Sequence, residues 1–530
     1  MHRTSAPSRR APRLSLAPGL ALLATLTAAL LDTAGPARAT VLNPSAERAI
    51  QSADLRDTVA AVLVRDLDRD DTLIDLDSRS LLIPASNAKI ATALAALDIL
   101  GPDFLFRTRL GVTPPDPDRP DATPDLVITG DGDPGFGDPE LLAQHGLQLE
   151  DLLDQWVDAV RKTNQTRFGR LILDDTIFNQ ARTHPDWEPD DLLRPYGAQV
   201  AGLNFYANII DVLPVPNRQF GATPTVSVFP TSSLIDTANR ARTGSSDHFL
   251  VHRELGTNHL RFSGTVKSRP RTPMRLTVHD PALHFAHLLA DRLKAEGIDV
   301  GQVARRTIDE PAPPSIDLHV VQTGLPLVLQ QVNQDSNNLA AAAVFKRMGH
   351  AFTGSPGSWD NGAAAVRHAL GARLGPAFAS ARVTDGSGLA RSNLLSPRLL
   401  VDLLDIAHQD PALAEPFRAS LAYAGTNANG TYLADGTLAP GRRFDELPRG
   451  TWVLAKSGYL SGVSSLAGYL VKTDPQGMTE PRVVAFAMIF NGFKPPVYNT
   501  RLKALHEEIL MLVVDRLEAE TPATDAALGG

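Results

Sequence analysis

Residues 86–100 read SNAKIATALAALDIL, a helix pattern that is apolar on nearly every side. A helix with no polar face cannot lie on a surface, so it must be packed between layers supplied by the rest of the chain. Gly101 is placed to end it. The flanking segments show what those layers are. Before the helix, VAAVLVRDLDRDDTLIDLDS (59–78) alternates apolar and polar residues around an Asp-rich turn, the pattern of a β-hairpin. Far downstream, TWVLAKSGYL, SSLAGYLVKT and RVVAFAMIFNG follow one another closely and should pair antiparallel. The amphipathic RLKALHEEILMLVVDRL then closes the fold.

The Pro/Asp-rich VTPPDPDRPDATPD (112–125) cannot be regular structure. It opens a middle region of strand-like pieces, among them DLVITGDG, FGRLILDDTIF, HFLVHREL and LRFSGTV. From Pro281 the pattern turns helical, in DPALHFAHLLADRLKAEG, NQDSNNLAAAAVFKRMG and SPRLLVDLLDIAHQ. This order predicts an α+β fold, an antiparallel sheet flanked by helices, interrupted by a large β-rich inserted domain. Its first part is placed at 40–110, the insertion at 111–280, the second part at 281–520 and a disordered tail at 521–530. Residues 1–39 stand apart. Arg3, Arg9, Arg10 and Arg13 precede the apolar LSLAPGLALLATLTAALL, and Ala37-Arg38-Ala39 supplies small residues for cleavage. That is the pattern of a secretory signal peptide cut after Ala39, which puts the mature chain in the periplasm or outside the cell. No later stretch reaches the roughly 18 apolar residues of a membrane helix.

Composition narrows the chemistry. The absence of cysteine excludes thiol catalysis and disulfides, and a formal net charge of −8 argues against a nucleic-acid partner. The 14 histidines form no His-Glu-x-x-His pair and no phosphate-binding loop occurs, so neither metal nor other cofactor is expected. Only nine of the 51 basic residues are lysines, and one of them, Lys89, stands in the apolar helix three residues after Ser86. Residues three apart share a helix face, and an amine among apolar groups gives up its proton near neutral pH. Such a pair makes a serine nucleophile. Acyl transfer would also need proton carriers, a second polar wall and an oxyanion hole. Candidates are Ser336 and Asn338, where DSNN enters a helix, and Lys456, Ser457 and Gly458 on a strand. Singly, Ser336 would be a helix N-cap and Lys456 an edge-strand charge.

In this order, Ser-x-x-Lys, Ser-x-Asn and Lys-Ser-Gly form the three-part signature of the penicillin-recognising serine enzymes. About 250 residues separate Ser86 from Ser336, and Val200 stands where a class A β-lactamase would carry a glutamate before Leu203-Asn204. The chain instead resembles the D-alanyl-D-alanine carboxypeptidase/endopeptidase family typified by penicillin-binding protein 4, peptidase family S13. GDGDPGFG, LILDDTIFNQARTHPDW, YGAQVAGLNFYANII, DGSGLARSNLLSP and SGVSSLAGYL carry the likeness over nearly all of the mature chain.

The resemblance implies a transpeptidase-like penicillin-binding-protein fold and an acyl-enzyme mechanism without cofactor. Ser86 would attack, Lys89 would take its proton, and Lys456 would help keep Lys89 neutral. Ser336 would pass a proton to the leaving amine, and Asn338 would bind the substrate amide. The N–H groups of Ser86 and Tyr459 would hold the oxyanion beside Gly458, and Lys456 with Ser457 the substrate carboxylate. Asp174 and Arg391 would grip the zwitterionic end of a diaminopimelate side chain in one cleft. Peptidoglycan, muropeptides and β-lactam antibiotics are the implied partners. A β-lactamase or esterase of the same fold, and a non-catalytic cell-wall binding protein with a decayed site, are the alternatives. Two departures from the family pattern concern substrate preference: Tyr459 replaces a small hydroxyl residue, and Asp435-Gly436-Thr437 is expected within an extended loop.

Overall fold

The computed structural model describes residues 41–115, 118, 122–427, 429–438, 442–473 and 480–520. The signal peptide expected at 1–39 and the tail expected at 521–530 lie outside the described residues. Among those described, no helix is long and apolar enough to cross a membrane.

Seven antiparallel strands make the central sheet, in the order Tyr432–Ala434, Ala422–Thr426, Thr451–Leu460, Val463–Lys472, Arg482–Asn491, Val59–Asp66, Asp71–Leu76. The N-terminal hairpin is thus added to the edge of the last of the three late strands. Arg482–Asn491 is apolar along its length because both of its faces are covered. Val484, Phe486, Met488 and Phe490 pack with Leu502, Ile509 and Val513 of the helix Asn499–Glu520. Ala485, Ala487 and Ile489 face the opposite, helical layer. Each fully buried large apolar side chain here stabilises the fold by about 1.5–3 kcal/mol. The apolar helix Ala88–Leu100 lies in that second layer, buried from Ala88 to Leu97 and packed on Asn338–Thr353, Trp359–Leu374 and Pro397–Gln409. It ends at Gly101, whose φ is 81°.

A second, five-stranded sheet runs Asp299–Arg305, Arg167–Asp174, Leu126–Thr129, Leu105–Val112, Ile316–Gly324. Leu105–Val112 and Ile316–Gly324 pair with each other, so the chain enters this layer at Leu105 and leaves it at Gly324. The limits expected at 110 and 280 fall inside the layer, because the partner of Leu105–Val112 lies about 200 residues away and no local pattern marks it. The insertion is also less purely β than its strand-like pieces suggest. Arg167–Asp174 pairs parallel with both of its neighbours, and parallel neighbours need crossover connections, usually helical. Leu149–Arg161 and Pro281–Ala295 pack over this sheet, with Trp156 and Phe285 edge to face at 5.2 Å between them. A smaller β module around Val212, Leu260 and Phe262 completes the insertion.

Candidate active site

Ser86 occupies a single 3-10 turn, Ala85–Asn87, that runs straight into the helix Ala88–Leu100. Ala85 has a φ of 48°, so the chain bends sharply just before the serine. Two glycines leave space for that bend. A Cβ on Gly388 would lie 1.9 Å from the Ala85 carbonyl oxygen, and one on Gly458 would lie 3.0 Å from Ser86 N. Ser465 Oγ, on the neighbouring strand, donates to the Pro84 carbonyl at 2.7 Å. The strand bearing Lys456, Ser457 and Gly458 is thereby held against the serine turn.

Lys89 is fully buried. Its Nζ donates to Ser86 Oγ at 3.0 Å, to Asn338 Oδ1 at 2.6 Å and to the Ser387 carbonyl at 2.6 Å. Burial lowers its pKa to about 7, against the opposing pull of the Asp385 carboxylate. An amine poised there is partly free base at neutral pH, and the free base has a lone pair to accept the serine proton across the 3.0 Å contact. Asp385 is buried too. Burial pushes its carboxyl up, but Trp187 Nε1, the N–H groups of Ala390 and Gly388 and Asn393 Nδ2, all at 2.8–2.9 Å, hold it below the usual carboxylate range. Lys89 therefore sits between two opposed influences.

Lys456 is equally buried, and its Nζ donates to the Ser457 carbonyl at 2.8 Å. Burial first, and the Lys89 charge second, hold its pKa well below an ordinary lysine's, with Asp335 opposing. Burial is the main cause that lowers Lys89, and the repulsion between the two amines is mutual.

Asn338 is fixed from two sides. Its Oδ1 accepts from Lys89, and its Nδ2 donates to the Tyr196 carbonyl at 2.9 Å. Ser336 is not a helix N-cap; Asn337 takes that place, its Oδ1 accepting from Ala340 N at 3.0 Å. A left-handed φ of 57° accompanies the placement of Ser336 in the wall of the cleft. No hydrogen bond joins Ser336 to Lys456 among the described residues. Ser457 Oγ donates to Thr437 Oγ1 at 3.0 Å. Thr437 is in a short 3-10 turn, Gly436–Leu438, within the long connection between the strands ending at Ala434 and beginning at Thr451, and its N–H docks on the Gln334 carbonyl at 2.8 Å.

The cleft over Ser86 measures about 490 Å³ and is lined by Ser336, Asn338, Arg391 and Tyr459. Tyr459, 57% exposed, lines this space. Arg391 Nη2 donates to the Ser461 carbonyl at 2.8 Å rather than pairing with Asp385. Asp174 is elsewhere. Its carboxylate takes Arg306 Nη1 at 3.1 Å and Thr176 Oγ1 at 2.7 Å in a separate cavity. The cause is register: Asp299–Arg305 runs parallel beside Arg167–Asp174 and delivers Arg306 to it. The carboxylates lining the cleft are instead Glu188 and Asp191, which lie between the family-like stretches ending at Trp187 and beginning at Tyr196 and were not singled out. Asp191 accepts from the Tyr196 hydroxyl at 2.9 Å. Glu188 and Asp191 lie in EPDDLLRPYG, a run of acids, prolines and one tyrosine with no periodicity. Among the described residues no cluster of His, Cys, Asp and Glu could hold a metal ion.

Residues 42–509 match the sequence model of the D-Ala-D-Ala carboxypeptidase 3 (S13) family. A D-alanyl-D-alanine carboxypeptidase of Actinomadura sp. (strain R39) is 32% identical over 505 residues, 92% of this chain and 88% of the relative. The D-alanyl-D-alanine carboxypeptidase DacB of Haemophilus influenzae is 24% identical over 452 residues, 83% of this chain and 87% of its own. The crystal structure of penicillin-binding protein 4 from Haemophilus influenzae superposes with a TM-score of 0.69 at 21% identity, covering 89% of this chain and 99% of that one. The fold is therefore the α+β penicillin-binding-protein fold. With its sequence matched from residue 42 to residue 509, the chain belongs to the D-Ala-D-Ala carboxypeptidase 3 (S13) family of hydrolases.

Proposed function

We propose that the protein is a serine D-Ala-D-Ala carboxypeptidase and endopeptidase that works through an acyl-enzyme on Ser86 and is acylated by penicillin. The observation that carries this reading is the Lys89 amine, 3.0 Å from Ser86 Oγ and lowered to a pKa of about 7. Lys89 takes the Ser86 proton as the oxygen attacks the carbonyl of a D-Ala-D-X bond. The N–H of Ser86, in the first turn before the helix, and that of Tyr459 receive the oxyanion. Asn338 meets the substrate amide, Ser336 protonates the leaving amine, and Lys456 with Ser457 attracts the terminal carboxylate. Peptidoglycan stem peptides and D-Ala–diaminopimelate cross-links are the substrates, which requires export through the segment ending at Ala39.

Incubation of the protein with benzylpenicillin, followed by intact-mass measurement, tests this. One persistent penicilloyl increment, located on the peptide containing Ser86, is the expected result. Rapid loss of the increment with bulk penicillin hydrolysis would identify a β-lactamase or esterase. No increment at all would leave a binding protein with a decayed site. The acylation rate should also rise with pH through about 7, because only the deprotonated Lys89 can accept the serine proton. A flat profile from pH 5 to 9 would dismiss Lys89 as the base.

Arg391, with Glu188 and Asp191 sharing its cleft, suits the carboxylate and amine at the end of a diaminopimelate side chain. A lost charged contact costs about 1.5–3 kcal/mol. Arg391→Ala should therefore slow hydrolysis of diaminopimelate peptides roughly tenfold to a hundredfold, and leave lysine-type peptides nearly unchanged. Equal losses in kcat/KM on both peptides would show that Arg391 only braces Ser461.

A further inference from the structure

A second cavity, of about 440 Å³, opens on the five-stranded sheet away from Ser86. Its floor is a row across three strands. Arg109 is the cross-strand partner of Thr129, and Thr129 is that of Asp174. Arg107 stands two residues from Arg109 on the same face of its strand, since side chains alternate. Arg306 closes one side and the helix Asn338–Thr353 contributes Arg347 to the wall. Two aspartates answer these four arginines. Asp174 takes Arg306 at 3.1 Å and Asp131 takes Arg347 at 2.9 Å. Arg107 and Arg109 have no ion-pair partner among the described residues, which leaves the cavity with two uncompensated positive charges.

Guanidinium groups held in a concave site present paired N–H donors that match the oxygens of phosphate or carboxylate. Two of the four are pre-positioned: the Arg306 and Arg347 side chains are only 12% and 14% exposed, and the Arg347 guanidinium lies 4.8 Å from the centre of the Phe104 ring, whereas Arg107 is half-buried and Arg109 exposed. The space exceeds what a bare oxyanion needs and falls within the usual range for small-molecule sites, about 300–1,000 Å³. We propose that this cavity is a second binding site, separate from the cleft at Ser86, for a phosphate-class oxyanion carried on a sugar-sized group.

Calorimetric titration of the whole protein with glucose 6-phosphate, inorganic phosphate and glucose tests the proposal. Glucose 6-phosphate should bind saturably, inorganic phosphate more weakly, and glucose not at all. Arg107→Gln/Arg109→Gln should weaken glucose 6-phosphate binding by about tenfold or more. The same variant should react with benzylpenicillin at the wild-type rate, which shows that it is folded. Protein already acylated by penicillin should bind glucose 6-phosphate as the free protein does. Absence of saturable binding, or unchanged affinity in the double variant, would overturn the site. Loss of binding on acylation would move the anion to the active-site cleft and overturn its separateness. Equal affinity for inorganic phosphate and glucose 6-phosphate would remove the sugar from the proposal.

Discussion

Ser86→Ala is expected to abolish covalent labelling by penicillin and to lower peptide hydrolysis by about 10⁴-fold or more, the scale on which serine hydrolases lose activity with their nucleophile. The effect should be chemical rather than structural. Ser86 Oγ accepts one hydrogen bond, from Lys89, and Lys89 keeps Asn338 and Ser387 as partners without it. Losing that one bond costs about 0.5–1.5 kcal/mol. The turn that holds residue 86 is shaped by Ala85, Gly388 and Gly458, none of which the substitution touches. Thermal unfolding should therefore stay close to the parent's, while the mass increment disappears. A penicilloyl group that persists on the variant would place the nucleophile elsewhere and overturn the assignment of Ser86.

How much of this site the sequence discloses depends on whether a residue's role is local. Ser86 and Lys89 announce themselves because both belong to one helical face, and a charge in a run as apolar as residues 86–100 needs a reason. Lys456, Ser457 and Gly458 fall on one strand, and Gly458 is required because a Cβ would meet Ser465 Oγ at 2.3 Å. The central sheet was legible for the same reason: residues 483–490 are an unbroken apolar run, as a strand covered on both faces must be. What could not be read is what depends on distant register. Asp174 lies in a family-like segment, yet a parallel neighbour brought from residue 306 claims it. Asp385 lies in DGSGLARSN, but its place behind Lys89 and its bond to Trp187 depend on a contact between segments 198 residues apart.

The same distinction explains why Asn338 was found and Tyr196 was not. Asn338 opens a strong helix, whereas Tyr196 acts through its main-chain carbonyl, which no residue type advertises. This carbonyl and Trp187 Nε1 are two points where one segment of the insertion touches the groups around Ser86. The insertion is therefore not an appendage. Its residues 187–196 orient Asn338 and secure Asp385, so the wall of the cleft and the surroundings of Lys89 share one support.

The two buried lysines should not be interchangeable, and arginine replacements separate them. Lys89→Arg keeps a positive charge at the site but cannot furnish a neutral base, because a guanidinium stays protonated at any working pH. The planar fork also has to enter a space where Nζ is closed in by Ser86 Oγ, Asn338 Oδ1 and the Ser387 carbonyl, all within 3.0 Å. General-base catalysis contributes about 10²–10⁴-fold, so acylation by penicillin should fall by about 10³-fold. Lys456→Arg preserves the attraction for a substrate carboxylate and the like charge facing Lys89. Its cost is the fit of a larger head in a buried position, about 1–3 kcal/mol of stability, and a loss of about tenfold in acylation, since removing one proton carrier while leaving the base touches the smaller share of the step. Stopped-flow acylation rates for the two variants, each checked for a cooperative thermal transition, give the comparison. Equal rates in two folded variants would mean that neither amine alone is the base and that the proton of Ser86 is shared between them.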